Sequence, residues 1–176
     1  LGLTATPTRT DGLTHVFLDF LGPIVYKSNK EKDDKNNVII AHIPYFDDSQ
    51  SYNKEELTGM GKICTSRIIN NITEYTPRSN LIVKIINSLI IDKERNIILL
   101  SDRREHLKYL YETLKSLNEE LEVGFYVGGM KQKLLDNTAN KSQIILSTFS
   151  MAAEALDIPK LNCLILASPK VNVEQA

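Results

Sequence analysis

The sequence has no tryptophan and only two cysteines, Cys64 and Cys163, among its 176 residues. The cysteines are far apart and lack the spacing of a metal site, so they predict buried free thiols in a reducing compartment rather than a disulfide framework. The three histidines, His15, His42 and His106, have no partners at the spacing of metal ligands or of a catalytic triad. The composition therefore predicts no metal centre.

An excess of charge of one sign is also missing, since 21 basic residues face 22 acidic ones and the isoelectric point is about 6.4. A protein that bound nucleic acid by net charge alone would be more basic, so any such contact would depend on a local groove or on backbone amides. No apolar run approaches the length of a membrane span, and no membrane partner is expected. The chain does not begin with Met and shows no signal-like segment. We therefore expect a piece of a longer protein, truncated at both ends.

The first half of the chain has an uneven pattern. Apolar residues at helical spacing predict a helix over 13–21, capped by Thr10 or Asp11 and ended by Gly22-Pro23. The charged segment 28–37 has no apolar period and predicts a linker. The pattern then predicts a strand over 38–46, a helix over about 54–75, and a further helix that begins at Thr76-Pro77.

From residue 96 onward, apolar runs alternate with helical patterns. The predicted strands are 96–101, 122–127, 143–148 and 162–168, and the predicted helices between them are 104–117, 131–136 and 149–156. Strands that are apolar on both faces and alternate with helices indicate an α/β fold, with a parallel sheet covered on both sides. Ligands of such sheets bind at the carboxyl ends of the strands. The loops after Ser101, Val127, Thr148 and Ser168 are therefore the candidate binding loops.

Two polar residues flank the helix after the third of these strands. Thr148 can offer its hydroxyl and its N–H to a phosphate, and Asp157 can accept a hydrogen bond from a ribose hydroxyl. Taken alone, Thr148 is more commonly a helix cap and Asp157 a turn residue before Pro159.

Other candidates follow the remaining strands. Gly128-Gly129 either lets the backbone approach a ligand or simply forms a turn. Arg103 and Arg104 stand where a helix begins, which is unfavourable for cations and hints at an anionic partner, with a solvated surface as the alternative. Lys62 in TGMGK does not belong to a phosphate loop, because the glycine and hydroxyl positions of GxxxxGK[ST] are not filled.

Taken in order, these segments resemble the motifs of superfamily 2 helicases. LGLTATPTRTDGL resembles motif III, IILLSDRREHLKYL resembles motif IV, FYVGGMK resembles the motif after the second strand, and ILSTFSMAAEALDIPK resembles motif V. VEQA resembles the start of motif VI, with Gln175 as its glutamine. The segments SDRREHL, GGMK and LILASPK are most similar to those of XPB-type helicases of giant DNA viruses and poxviruses. Only the region from about 27 to 96 lacks such motifs.

The resemblance implies two RecA-like domains that clamp ATP between them and move along a nucleic-acid strand. It divides the chain into the end of the first domain (1–27), a linker (28–37) and the second, truncated RecA-like domain (38–176). It assigns nucleotide coupling to Thr4, Ala5 and Thr6, and nucleotide contact to Glu154 and Asp157. It assigns contact with the nucleic-acid backbone to Arg103, Arg104, Gly128, Gly129 and Thr148.

The resemblance also implies ATP and Mg²⁺ as cofactors of the whole protein. Its expected partners are a DNA or RNA strand, the first RecA-like domain, and a nuclease or another nucleic-acid-processing protein. The expected location is intracellular and reducing, in host cytoplasm or in a virion for a viral protein. The phosphate loop, the Mg²⁺-binding motif and the motif VI arginines are missing from these residues, so no catalytic residue is expected and the isolated chain should not hydrolyse ATP.

Ala155 departs from the family pattern, which has glycine there, and its Cβ would narrow the backbone approach to ATP. Two alternatives stay open. One is a non-catalytic nucleic-acid-binding or scaffold module on the same fold, and the other is a translocating subunit of a nuclease system.

Overall fold

A computed structural model describes residues 12–27, 38–155 and 157–170, except for the side chains of Glu154 and Ala155. The chain divides into two compact units, Leu1–Ile43 and Pro44–Ala176. The coupling motif Thr4-Ala5-Thr6, the linker 28–37 and Gln175 lie outside the described residues.

Helix α1 (Thr14–Leu21) in the first unit confirms the helix predicted over 13–21. It ends at Gly22, whose positive φ of 84° is accessible to glycine and whose N–H donates to the Leu18 carbonyl at 2.9 Å. The predicted caps Thr10 and Asp11 fall outside the described residues. No residue of α1 is buried, and Phe20 is 87% exposed. Among the described residues, the apolar side chains of this helix form no buried core.

Two predictions for the region before residue 76 are wrong. Residues 38–46 form no strand, and their apolar side chains are exposed, with Ile39 at 90%. A strand needs a neighbour for its N–H and C=O groups, and no described segment pairs with this one. The helix predicted over 54–75 is α2 (Thr65–Glu74) alone. Residues 57–63 instead close on themselves through an isolated bridge between Leu57 and Ile63, with Gly61 at φ 74° in the turn.

The remaining helices lie close to their predicted positions. Helix α3 (Thr76–Leu89) begins with Pro77 in its first turn, where the missing N–H costs no hydrogen bond. Helix α4 (Arg104–Leu117) has the predicted bounds. Helix α5 (Gln132–Lys141) runs more than a turn further than predicted, and α6 (Phe149–Ala155) is short.

The four predicted strands form one parallel sheet: β1 (Ile97–Leu100), β2 (Val123–Tyr126), β3 (Ile144–Ser147) and β4 (Cys163–Leu166). Their order is β2-β3-β1-β4. The strands are paired in register, so that Ile97 faces Ile144 on one side and Cys163 on the other. All four carboxyl ends therefore meet at one edge of the sheet. We call this edge the carboxyl edge.

Each face of the sheet has its own core. Ile97 and Leu99 pack with α3 and α4, whereas Ile98 and Leu100 point to the other face and pack with α5 and α6. The first core contains Ile82, Val83, Ile86, Leu107, Leu110 and Leu114, and the second contains Leu135, Ile145, Phe149 and Ala152. Met130 and Met151 pack against the second core. The two-sided α/β architecture is confirmed.

A tyrosine cluster precedes this sheet. The rings of Tyr45, Tyr52 and Tyr75 contact one another, with centroids 4.8 to 6.3 Å apart. The Tyr45 hydroxyl donates to Asp47 at 2.8 Å, and the same carboxylate accepts the Ser49 N–H. The cluster gives the irregular segment before α2 a local anchor onto the start of α3.

The thiols of Cys64 and Cys163 are free, as predicted, but they are half-buried rather than buried. Within the described residues, no helix has the length and apolar character to cross a membrane.

Gly124 in β2 packs directly against α5. A Cβ at this position would lie 2.6 Å from the Thr138 methyl carbon and closer still to the Ser142 hydroxyl. We expect Gly124→Ala to lower the free energy of unfolding by about 1 kcal/mol, because the small polar side chains must shift to make room. Thermal denaturation followed by circular dichroism measures the change. Gly128→Ala is the matched control, since a Cβ there meets only the Arg104 side chain at 3.5 Å. Equal stability of the two variants would contradict this packing.

Candidate functional site

Buried serines tie the strand ends together at the carboxyl edge. Ser147 at the end of β3 donates to the Tyr126 carbonyl at the end of β2, at 2.6 Å. Ser168, just after β4, accepts the Asp102 N–H at 2.9 Å, which joins the ends of β4 and β1. Ser101, just after β1, is fully buried. The Ser101 N–H donates to the Ser147 carbonyl at 3.1 Å, so hydrogen bonds join all four strand ends to one another.

His106 supports the loop after β1 from below. Its Nδ1 lies 3.0 Å from the Ser101 hydroxyl and its Nε2 lies 3.2 Å from the Ser79 hydroxyl of α3. Burial, together with the nearby positive charge of Arg78, lowers the pKa of His106 to about 4. The imidazole is therefore neutral at neutral pH, with one nitrogen donating and the other accepting. The neutral ring therefore links α3 to the end of β1 by hydrogen bonds to Ser79 and Ser101.

Arg103 is fixed by the protein itself. Its Nε donates to the Asn70 side-chain oxygen at 2.6 Å, and an Nη donates to the Ser66 carbonyl at 3.1 Å. Both acceptors belong to α2, so Arg103 joins α2 to the start of α4. Within the described residues it has no carboxylate partner. Its positive charge is therefore held in place without being neutralised.

Arg104 is exposed and reaches across the edge. Its Nη2 donates to the Gly128 carbonyl at 2.7 Å, which links the loop after β1 to the loop after β2. Gly129 follows with φ 86°, a conformation that favours glycine. The predicted group of Arg104, Gly128 and Gly129 is thus brought together. Arg104, too, has no carboxylate partner among the described residues.

Thr148 lies at the end of β3, between the loops that carry Gly128 and Arg103. It is half-buried, and its hydroxyl lies 3.3 Å from the Ser150 hydroxyl. Its carbonyl accepts the Ala152 N–H, so Thr148 also starts α6. This position is compatible both with the predicted contact with a phosphate and with the alternative role of Thr148 as a helix cap.

Asp157 lies apart from that group. It is exposed in the loop between α6 and β4 and lines a recess of about 300 Å³. The walls of the recess are otherwise mostly apolar, formed by Ile98, Leu100, Ala152, Ile158, Pro159, Leu161 and Leu164. The recess shares no lining residue with the loops that carry Arg103, Arg104 and Thr148. Glu154 lies in α6, and its side chain is outside the described part of the chain.

Sequence reasoning missed the residues that build the edge. The sequence analysis did not propose these residues for the site: Ser101, Ser147, Ser168 and His106. Three of the four strands nevertheless lead into a serine, in the segments LLS, ILS and LAS. A serine that ends each of several buried strands is a usable signal, because its hydroxyl can bond to the neighbouring strand end. Across the parts of the chain that the structure describes, no three His, Cys, Asp or Glu side chains are grouped as for a metal ion.

Residues 80–176 match the family of the helicase conserved C-terminal domain. The chain belongs to this family. The match begins in α3 and includes all four strands, so this helicase C-terminal domain is the α/β unit described above. The resemblance to superfamily 2 helicases and the RecA-like fold class are thereby confirmed. The narrower likeness to XPB-type helicases, the domain boundaries and the roles of the individual site residues stay predictions.

A protein of Acanthamoeba polyphaga mimivirus, to which the name ATP-dependent RNA helicase has been given provisionally, is 36% identical over 185 residues. The match covers 100% of this chain and 34% of the mimivirus protein. The chain therefore spans about a third of the length of that relative.

Two solved structures are also similar. The C-terminal domain of a Sulfolobus solfataricus SWI2/SNF2 ATPase aligns with a TM-score of 0.49 and 12% identity, covering 58% of this chain and 52% of that one. The Hef helicase domain of Pyrococcus furiosus aligns with a TM-score of 0.46 and 19% identity, covering 63% and 25%.

Proposed function

We propose that the chain supplies the second RecA-like domain of an ATP-dependent helicase or translocase, and that its carboxyl edge holds the backbone of a nucleic-acid strand. The observation that carries this proposal is the placement of the predicted backbone-binding residues. Arg103 and Arg104, Gly128-Gly129, and Thr148 follow the ends of β1, β2 and β3, which are neighbours in the sheet.

The charges at this edge favour an anionic ligand. Among the described residues, Arg103 and Arg104 donate hydrogen bonds only to neutral oxygens, so their charges remain available to a phosphate. Arg103 contributes a fixed positive charge, because its nitrogens are engaged with α2. Arg104 is exposed and can contact a phosphate oxygen directly. A strand bound in this way would be read through its backbone, which leaves DNA and RNA equally open.

The opposite edge of the sheet has a different chemistry. There, the Asn96 N–H donates to the Asn162 side-chain oxygen at 2.9 Å, and the Gln143 side chain donates to the Arg95 carbonyl at 3.2 Å. Arg95 itself faces the carboxylate of Asp92 at 3.5 Å. In the part of the chain that the structure describes, this edge has no comparable group of unneutralised arginines, and we do not assign it to the strand.

The nucleotide belongs at the recess beside Asp157. An exposed carboxylate above apolar walls fits a ribose hydroxyl and the edge of a base. Bound ATP supplies the phosphoryl group whose hydrolysis drives movement. The described residues offer Asp157 to the ribose, whereas the groups that position Mg²⁺ and the γ-phosphate belong to motifs that these 176 residues lack. We therefore expect no ATP hydrolysis by the chain alone.

Strand binding tests this proposal. The unmodified chain should bind a labelled oligouridylate or oligothymidylate weakly, and more weakly as salt rises. Arg104→Gln should weaken binding about tenfold, which is the value of one hydrogen bond to a charged group. Arg95→Gln is the matched control, because it removes the same charge at the opposite edge. Equal losses in the two variants, or no strand binding at low salt, would refute the placement of the strand.

The non-catalytic alternative needs a separate measurement. A longer protein that includes the first RecA-like domain should show ATPase activity stimulated by single strands. Strand binding without any ATPase activity in that protein would favour a binding module over a motor.

A further inference from the structure

Arg78 is a partly buried arginine at the carboxyl edge that the predicted site leaves out. It lies in the first turn of α3, and its Nη1 donates to the Ala167 carbonyl, just after β4, at 2.8 Å. Residue 78 precedes the segment 80–176 that matches the family. Among the described residues, Arg78 has no carboxylate partner.

The other nitrogens of this guanidinium reach the solvent. Arg78 donates no other hydrogen bond within the described residues, and no described side-chain nitrogen is both buried and unpaired. Burial lowers the pKa of Arg78 from its usual value, yet an arginine stays charged at any pH a protein tolerates. A half-buried charge without a counterion is costly, which makes a bound anion at this position favourable.

Lys170 stands three residues after Ala167. Its Nζ lies 3.3 Å from Asp102 Oδ1 and 5.4 Å from the centre of the Phe149 ring. Asp102 in turn is bonded through its N–H to Ser168. Contacts therefore lead from Arg78 through Ala167 and Ser168 to Asp102 and Lys170, around the ends of β4 and β1.

Three arginines along this edge, Arg78, Arg103 and Arg104, have no carboxylate partner among the described residues, whereas Lys170 is paired with Asp102. The charges of these described residues therefore favour an anion. The four strand ends span roughly 14 Å, because neighbouring strands lie about 4.8 Å apart. Arg104 stands at the β2 end of this row, and Arg78 stands at the β4 end.

We propose that Arg78 and Lys170 form an additional phosphate-binding site at the carboxyl end of β4, one strand beyond the predicted contacts after β1. The ligand is a phosphate group of the bound nucleic-acid strand. This inference rests on the proposed function, since it extends the same surface. A phosphate of a bound nucleotide has the same chemistry and is separated from the strand by the test.

The test compares Arg78→Gln and Lys170→Gln with Arg95→Gln in the 176-residue chain. Binding of a labelled oligouridylate is measured between about 50 and 200 mM salt. A lost phosphate contact lowers the salt slope by about 0.7 for a single strand, so over this range the affinity of each variant should fall about 2.5-fold less than that of the unmodified chain. Arg95→Gln should keep the full slope. Arg78→Lys keeps the charge and should restore most of it.

A second probe, a fluorescent ATP analogue, identifies the source of the phosphate. Unchanged affinity for this analogue in both variants supports the strand, whereas weaker nucleotide binding with a full salt slope would overturn our assignment.

The alternative is that Arg78 only holds α3 to the end of β4 and contacts no phosphate. Arg78→Gln would then lower the melting temperature and leave the salt slope unchanged, which would overturn the inference. If Arg78→Gln fails to fold, Lys170→Gln and Arg78→Lys decide the question. A salt slope in Lys170→Gln equal to that of the unmodified chain would refute the site. Loss of slope in Arg104→Gln alone would sustain the proposed function without this extension. Absence of strand binding in the unmodified chain would overturn both.

Discussion

Replacement of Leu99 by alanine is expected to lower the free energy of unfolding by about 3 to 4 kcal/mol. Leu99 is fully buried in β1, which lies between β3 and β4, and it packs in the core formed with α3 and α4. The substitution removes three side-chain carbons and leaves a cavity that a strand paired on both sides cannot close. Urea denaturation followed by far-ultraviolet circular dichroism measures the loss, since the chain has no tryptophan to report it.

Leu164 provides the matched control for that experiment. It lies in β4 and is 54% exposed, so Leu164→Ala should cost about 1 kcal/mol or less. Losses of similar size in the two variants would contradict the assignment of β1 as a buried inner strand of the sheet.

Acidification from pH 7 to pH 5 is expected to destabilise the chain by about 2 kcal/mol through His106 alone. The folded pKa of His106 is about 4, because the ring is buried and stands near Arg78. The unfolded pKa is about 6.5. Between these values the unfolded chain binds more protons than the folded one. The contribution of His106 to stability is therefore fully present above about pH 7. It is lost as the pH falls through the unfolded pKa towards the folded pKa of about 4.

His106→Gln tests this origin of the pH dependence. The variant should be less stable at pH 7, because its amide cannot bridge Ser79 and Ser101 as the ring does. It should also lose most of the change in stability between pH 7 and pH 5. His42→Gln, at an exposed position, serves as the control and should keep the dependence. Persistence of the full pH effect in His106→Gln would show that another group causes it.

The parallel sheet could be predicted because its pattern is local and repeated. Each strand is a short apolar run with a helical pattern next to it, and the bounds of α4 were correct to the residue. Residues 38–46 had an equally apolar run but no neighbouring strand. A run of apolar residues specifies a strand only when the fold supplies a partner, and that information lies outside the run.

The candidate site was predictable in its location but not in its chemistry. The rule that ligands bind at the carboxyl ends of parallel strands brought Arg104, Gly128 and Thr148 to the same edge. The engagement of Arg103 with α2 was not visible, because Asn70 and Ser66 lie more than thirty positions away in a helix whose start was wrongly predicted. Arg78 was missed for a similar reason, since its contact with Ala167 joins residues 89 positions apart.

The most direct test of the central claim is a titration of the isotope-labelled chain with an oligouridylate, followed by backbone amide chemical shifts. We expect the largest changes at the carboxyl edge, at Asp102 to Arg104, Gly128, Gly129, Thr148 and Ser168. The amino edge, with Asn96, Gln143 and Asn162, should change little. Changes concentrated at the amino edge, or spread evenly over both edges, would contradict the assignment of the carboxyl edge as the strand-binding surface.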